Sequence, residues 1–445
     1  MLQASHSPLR RRHVVPDSEL GQLSRAERII YWTILLTPLW WVLGIQPLLF
    51  PAVVIGLLAS SFDADKLLRI PLPLCIWAWL GMGIVMLWTA FTGLSEQGWD
   101  ISKAIATVVT FLKGYFLIFA CFLLPMWNRV RVAVITRAVV WMTSGYLISL
   151  TVQITLLFLG LSRAFSPPWA RFMPGNPLSF RVNAATFQPF FGIPLPRTPL
   201  YMPDPPILGI CGLLCFLICL GEPNHRLRQL GMAGSLSALI ISQSRLGWIC
   251  LPIALLIIAL FRSPIARQGA IWVSALISLL CTLLGGLTLS ELLNKPLTVF
   301  TNARPASSTD REFVVRKTLE AWQESPWLGW GVAHDSAKWH TFEITLGSFS
   351  SYAGVLYLHG ILGFVCLITA IGSTLWHFLL PALRGNLLCK KAFASVVALS
   401  LFMEGIPLSW MAVYFWYFLI WLGAIISQQK QEKNSMKKLE NFSPI

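Results

Sequence analysis

Long apolar runs, separated by short polar breaks, recur along the chain from residue 29 to residue 427. Several are long enough to cross a bilayer core, which takes about 20 apolar residues per helix. The alternation of period two that marks a membrane barrel does not occur in these runs. The pattern predicts an all-α polytopic membrane protein with about twelve transmembrane helices. The predicted spans are 29–42, 47–61, 72–91, 105–125, 133–159 and 206–220, then 230–242, 247–261, 269–289, 350–373, 392–406 and 410–427. The first two, and the pair flanking Arg245, are short and suit tilted, buried or re-entrant segments.

The polar breaks divide the chain into a basic N-terminal segment (1–28), one transmembrane domain (29–427) and a basic tail (428–445). Two breaks are long, about 160–205 and 290–349, and long loops in compact proteins are usually functional. In the second, Thr309 and Glu312 make a capping-box pattern, so a helix is predicted from Thr309 to Glu324, ending before Pro326. Val315, Leu319 and Trp322 fall on one face of that amphipathic helix, with Arg311 one turn before Val315.

Charge then orients the chain. Lys and Arg number 34 against 19 Asp and Glu, a net charge of +15. Most of the basic residues fall in the N-terminal segment, the tail and the short loops of one side, including Lys66, Arg69, Arg129, Arg131, Arg226 and Arg228. By the positive-inside rule both termini are cytoplasmic and both long loops face outward. The excess charge therefore needs no nucleic-acid partner, and no aromatic-interleaved basic motif suggests one. The N-terminal segment lacks the short apolar core and cleavage site of a secretory signal. All nine cysteines lie in apolar runs, which argues against an extracytoplasmic disulfide framework. Cys211, Cys215 and Cys219 stack on one helix face with no His or carboxylate beside them, which favours packing over a metal site.

Two arginines carry the chemistry. Arg245 stands between two apolar runs, in Ser-Gln-Ser-Arg-Leu-Gly-Trp at 242–248. A charge at membrane depth costs about 2.5–3.5 kcal/mol and is functional by default. The alternative is an interfacial side chain that snorkels to the headgroups. Together with Arg311 it suits an anionic headgroup, because a guanidinium grips phosphate through two parallel hydrogen bonds. Arg316, Lys317, Arg163, Arg171, Arg181 and Arg197 are supporting candidates.

Ser244-Arg245, Arg311, Trp322, Glu-Ser-Pro-Trp-Leu-Gly-Trp-Gly at 324–331, Gly-Ser-Phe-Ser-Ser-Tyr at 347–352 and Leu-Tyr-Leu-His-Gly-Ile-Leu-Gly at 356–363 together resemble the O-antigen ligase/polymerase family. The resemblance implies transfer of a glycan from a polyprenyl-diphosphate donor to a saccharide or lipid acceptor, at the outer face of the bacterial cytoplasmic membrane. The implied reaction inverts the sugar and needs no metal or other cofactor. Arg245 and Arg311 match the family's donor-diphosphate arginines, and a flippase and a chain-length regulator are its implied companions. The chain departs from the pattern at Phe349, where the family often carries a His proposed to activate the acceptor hydroxyl. Phe cannot accept a proton. His340 and Glu343 are the first candidates for the base, followed by His334, Asp335, His359 and Glu404. Two other classes compete. A membrane transporter suits the span count but finds no paired half-repeats in the sequence. A non-catalytic glycan-binding or scaffold subunit suits the missing His.

Overall fold

A computed structural model describes residues 23–63, 71–96, 98, 100–172, 180–263, 268, 305–333, 336–339 and 342–441. It is largely helical. Among the described residues the extended strands form two antiparallel hairpins, β1–β2 and β3–β4. The first pairs β1 (Thr186–Phe190) with β2 (Ile193–Arg197), and the second pairs β3 (Ser336–Trp339) with β4 (Phe342–Thr345).

The helices begin with α1 (Arg25–Leu35), opened by a capping box in which Ser24 and Glu27 satisfy each other's backbone amides. The predicted first span is broken at Leu36, where α2 (Thr37–Leu43) starts with Pro38 in its first turn. α3 (Gln46–Ser60) and α4 (Leu74–Glu96) follow. α5 (Ile101–Phe111) and α6 (Leu117–Asn128) are one rod joined by a π-helical turn, Leu112–Phe116. α7 is Val132–Phe158, α8 Pro205–Cys219, α9 His225–Ile241 and α10 Arg245–Leu260. The last five are α11 (Pro305–Trp322), α12 (Ser351–Leu383), α13 (Leu387–Phe402), α14 (Leu408–Tyr414) and α15 (Trp416–Asn441).

Four of these rods are long and apolar enough to cross a membrane: α4, α5 with α6, α7 and α12. The pair α14–α15, bent by 73°, makes a fifth if counted as one span. The apolar helices α3, α8 and α10 are shorter, at 15 or 16 residues. The predicted span 269–289 lies outside the described residues.

The core is built from apolar side chains all round α8 and the first half of α15. Every residue of α8 after Pro205 is buried. Trp416, Phe418 and Trp421 of α15 are buried, with Trp416 stacked on Phe50 of α3 at 5.3 Å. Cys211 and Cys215 place their sulfurs 3.1 and 3.2 Å from the Tyr417 hydroxyl. α12 packs along α4, where Trp79 Nε1 donates to Thr374 Oγ1 at 3.0 Å.

The two ends of the bundle differ. At one end Arg131 pairs with Glu27, Arg137 forks onto Glu222, and Lys391 Nζ donates to the Leu220 carbonyl. At the other end the connections after α7, α9, α11 and α13 converge with both hairpins.

α12 is interrupted at Gly360, whose φ of 61° and ψ of −165° no helix contains. The break lies nine residues inside the helix, about 13 Å along its axis. Residues 325–331, the Ser-Pro-Trp-Leu-Gly-Trp-Gly phrase, fill it. The amides of Ile361 and Leu362 donate to the carbonyls of Pro326 and Trp327, and the amides of Trp330 and Gly331 donate to those of Tyr357 and Leu358. Four backbone groups freed by the break are thus satisfied, which hydrocarbon cannot do.

Candidate functional site

α11 presents Arg311. Pro305 opens the helix one turn before Thr309, so Thr309 sits inside it instead of capping it. One face is seated on the bundle. Val314 and Thr318 are buried, the Thr318 hydroxyl donates to Val314 O and accepts from Gly347 N, and Trp330 Nε1 donates to Ala321 O. The neighbouring face, with Arg311, Val315 and Leu319, lines a cavity of about 690 Å³. The Arg311 guanidinium lies over the Phe349 ring, 5.7 Å from its centroid. Burial pulls the Arg311 pKa below its ordinary value, and the negative charge of Asp204 opposes that shift. A guanidinium stays charged through such a shift.

Arg245 enters the same cavity from α10. Its position follows from the turn before it. Gln243 adopts φ 49°, and its side-chain amide donates to Pro196 O at 3.1 Å. Arg197 Nε donates to Ser242 O at 2.8 Å, and Ser244 caps α10 by accepting from Gly247 N. Arg197, a supporting candidate in the sequence, is therefore built into the turn that carries Arg245. Glu404 and Arg316 also line this cavity, and Glu404 accepts a hydrogen bond from Ser350 at 3.1 Å.

Arg311 and Phe349 also border a second cavity of about 420 Å³, which includes Asp204, Tyr115, Ser348 and Ser350. The Ser348 hydroxyl is buried and has no hydrogen-bond partner among the described residues. Tyr115 in turn borders a third cavity of about 580 Å³, floored by His359 and edged by Lys103. His359 is 1% exposed, with Nδ1 2.7 Å from the Thr89 hydroxyl and Nε2 2.9 Å from the Tyr115 hydroxyl. Both ring nitrogens are thus engaged, and the tautomer decides which of the two contacts His359 donates.

The other sequence candidates are dispersed. His340, His334 and Asp335 lie outside the described residues. Glu343 is exposed on β4, in register with Lys338 of β3, and does not line any of these three cavities. Two residues that sequence reasoning passed over stand at the site. Tyr115 was hidden in an apolar run, and the π turn that carries it, Leu112–Phe116, has no sequence mark. Asp204 reads as an ordinary helix cap before Pro205.

Residues 230–368 match the family model described as O-antigen ligase. Over that segment, about a third of the chain, the sequence is similar to the O-antigen ligase family. The matched segment holds Arg245, Arg311, Phe349, His359 and the loop that fills the α12 break. Tyr115, Asp204 and Glu404, which line the same cavities, are not all within it: Tyr115 and Asp204 precede the segment and Glu404 follows it. No curated protein matches the chain.

Proposed function

We propose that this protein transfers a glycan from a polyprenyl-diphosphate donor to a saccharide or lipid acceptor. On this reading Arg245 and Arg311 hold the donor diphosphate. One observation carries it: arginines from two separate elements line a single cavity of about 690 Å³ beside a membrane bundle. A cavity of that size suits a diphosphate with its first sugar. The leaving diphosphate gains charge in the transition state, and fixed guanidinium donors stabilise that charge without reorganising. The transfer inverts the sugar and draws its charge stabilisation from these side chains without a metal. The O-antigen ligase match over residues 230–368 supports the reaction class.

The cell-level reading follows. The basic end of the bundle faces the bacterial cytoplasm, and the site end faces outward, where lipid-linked glycans are assembled. The shorter helices α1–α3, α8–α10 and α13 complete about twelve crossings or part-crossings of the inner membrane. A flippase delivers the donor, and a chain-length regulator is the natural companion of a polymerase.

The test is binding of a purified lipid-linked glycan donor to the detergent-solubilised protein. Arg245→Ala and Arg311→Ala should each weaken binding about 10- to 100-fold, the range of a charge-assisted hydrogen bond. Arg311→Lys should recover little, because an ammonium lacks the planar fork. In a deletion strain, neither alanine variant should restore envelope glycan. Restoration by Arg311→Ala would remove the diphosphate role and leave a scaffold.

A further inference from the structure

The base of the β1–β2 hairpin is built into the protein. Phe190 is buried, with its ring 5.5 Å from that of Trp248 in α10. Arg197 is buried and donates to Ser242 O. The rest of the hairpin faces away. Phe191 and Ile193 are more than half exposed, and Phe187 and Leu195 are exposed beside them. Arg197 is the one charged residue of 186–197, so the hairpin shows no charge to its surroundings. Pro189, Pro194 and Pro196 have no amide hydrogen, which leaves fewer backbone donors that need water. Large apolar side chains gathered so closely in one loop mark a surface that something covers.

We propose that the tip of this hairpin inserts into the adjoining leaflet of the bilayer, so that membrane lipid is its partner. The inference goes beyond the donor reading of Arg245 and Arg311 and does not depend on it.

The turn at the tip gives the first reason. Phe191 and Gly192 have φ of 50° and 78°, so both central residues of this two-residue turn are left-handed. Such a turn ordinarily takes Asn-Gly, and a large ring at its first position is rare. The chain keeps a strained backbone in order to hold a phenyl ring at the apex, and strain of this kind gathers at functional positions.

Depth identifies the occupant. α7 is long and apolar enough to cross a membrane, and Trp141, Ile148, Val152 and Leu159 form an exposed apolar stripe along it. Arg137, paired with Glu222, marks the basic end of that rod. Phe158 lies about 31 Å further along the axis, at about 1.5 Å per residue, and a hydrocarbon core is about 30 Å thick. The ring of Phe158 is exposed and meets Phe187 edge-on, with 5.4 Å between centroids. The hairpin therefore adjoins the exposed apolar surface of α7 at the level where hydrocarbon gives way to headgroups. Phe and Leu side chains are what interfacial segments bury there. An inserted tip also ties the turn before Arg245 to the membrane surface, because Pro196 and Arg197 hold that turn.

The test is photolabelling of the full chain in vesicles of phosphatidylethanolamine and phosphatidylglycerol. The vesicles are doped with a phospholipid that carries a diazirine on its acyl chain near the headgroup. In the wild type, adducts should fall on residues 186–197 as well as on the exposed residues of α7. Phe191→Asn suits the left-handed turn and, with Ile193→Thr, removes both tip side chains while leaving the base untouched. In that double variant adducts on 186–197 should fall about tenfold or more, the partition ratio of one large apolar side chain, while those on α7 stay.

Wild-type adducts on α7 with none on 186–197 overturn the proposal, and place the tip in water or against protein. Equal labelling of 186–197 in the wild type and the double variant also overturns it. Loss of the α7 adducts in the double variant reports misfolding, and the wild-type pattern then decides alone. Failure of the donor reading is separate: it shows as wild-type donor binding by Arg245→Ala, a variant that should leave the adducts as they are.

Discussion

Arg311 and Phe349 form a pair in which an apolar residue does electrostatic work. The ring face is electron-rich, and a guanidinium over it is held by about 0.5–2 kcal/mol, more when water is excluded. Phe349→Leu keeps the bulk and removes that attraction. It should weaken donor binding about 2- to 30-fold while leaving the protein folded, as read by donor titration; an unchanged affinity would mean that the ring does not steer Arg311. At this scale legibility was uneven. Arg245 and Arg311 stood out because cations are costly in an apolar chain. Phe349 could be read only as the loss of a His, since a ring under a guanidinium leaves no trace in sequence spacing. Thr309 misled: its capping pattern is sound, yet the helix was already under way from Pro305.

Among the elements, α12 and the loop before it depend on each other. Gly329 has φ 68°, and a Cβ there would lie 2.5 Å from the His359 amide nitrogen. A Cβ at Gly360 would meet the Trp327 carbonyl at 2.2 Å, and one at Gly331 the Thr89 carbonyl of α4 at 2.4 Å. Gly329→Ala should therefore cost about 2–3 kcal/mol through forced displacement of backbone that has nowhere to move. Thermal unfolding in detergent checks this, and an unshifted midpoint would show that the junction is looser than drawn. The Ser-Pro-Trp-Leu-Gly-Trp-Gly phrase was legible as something special, but as chemistry. Its glycines and carbonyls instead serve the helix break, and the arginines proposed to hold the donor lie outside it. His359, named in the sequence as a candidate base, is tied between Thr89 of α4 and Tyr115 of the π turn. A π turn inside a helix is a frequent mark of function, but it adds one residue to a turn without any residue type of its own.

For the whole molecule, the helical membrane class was plain from the apolar runs. Four rods, or five with the bent pair, have the length and composition of a span. Apolar content reports burial whether lipid or protein does the covering, so composition alone does not separate a short crossing such as α8 from a core helix. The bend between α14 and α15 likewise carries no strong sequence mark. The proposed orientation makes a direct prediction. A cysteine at Glu324, exposed on the site side, should react with a membrane-impermeant maleimide in intact spheroplasts. A cysteine at Arg226, exposed beside Asn224 at the basic end, should react only after permeabilisation. Labelling of both from one side would overturn the topology.

The break in α12 also bears on how the protein is made. Lipid offers no partner for the carbonyls of Tyr357 and Leu358 or the amides of Ile361 and Leu362, and each left bare costs several kcal/mol. Residues 325–331 emerge from the ribosome before those groups do, so the filler is at hand when the gap appears. Integration of α12 and folding of the loop that carries Arg311 are then a single event in biogenesis. A nascent chain whose loop misfolds holds a helix that the bilayer does not tolerate, and becomes a substrate for membrane proteolysis before it can become an inserted protein without a site.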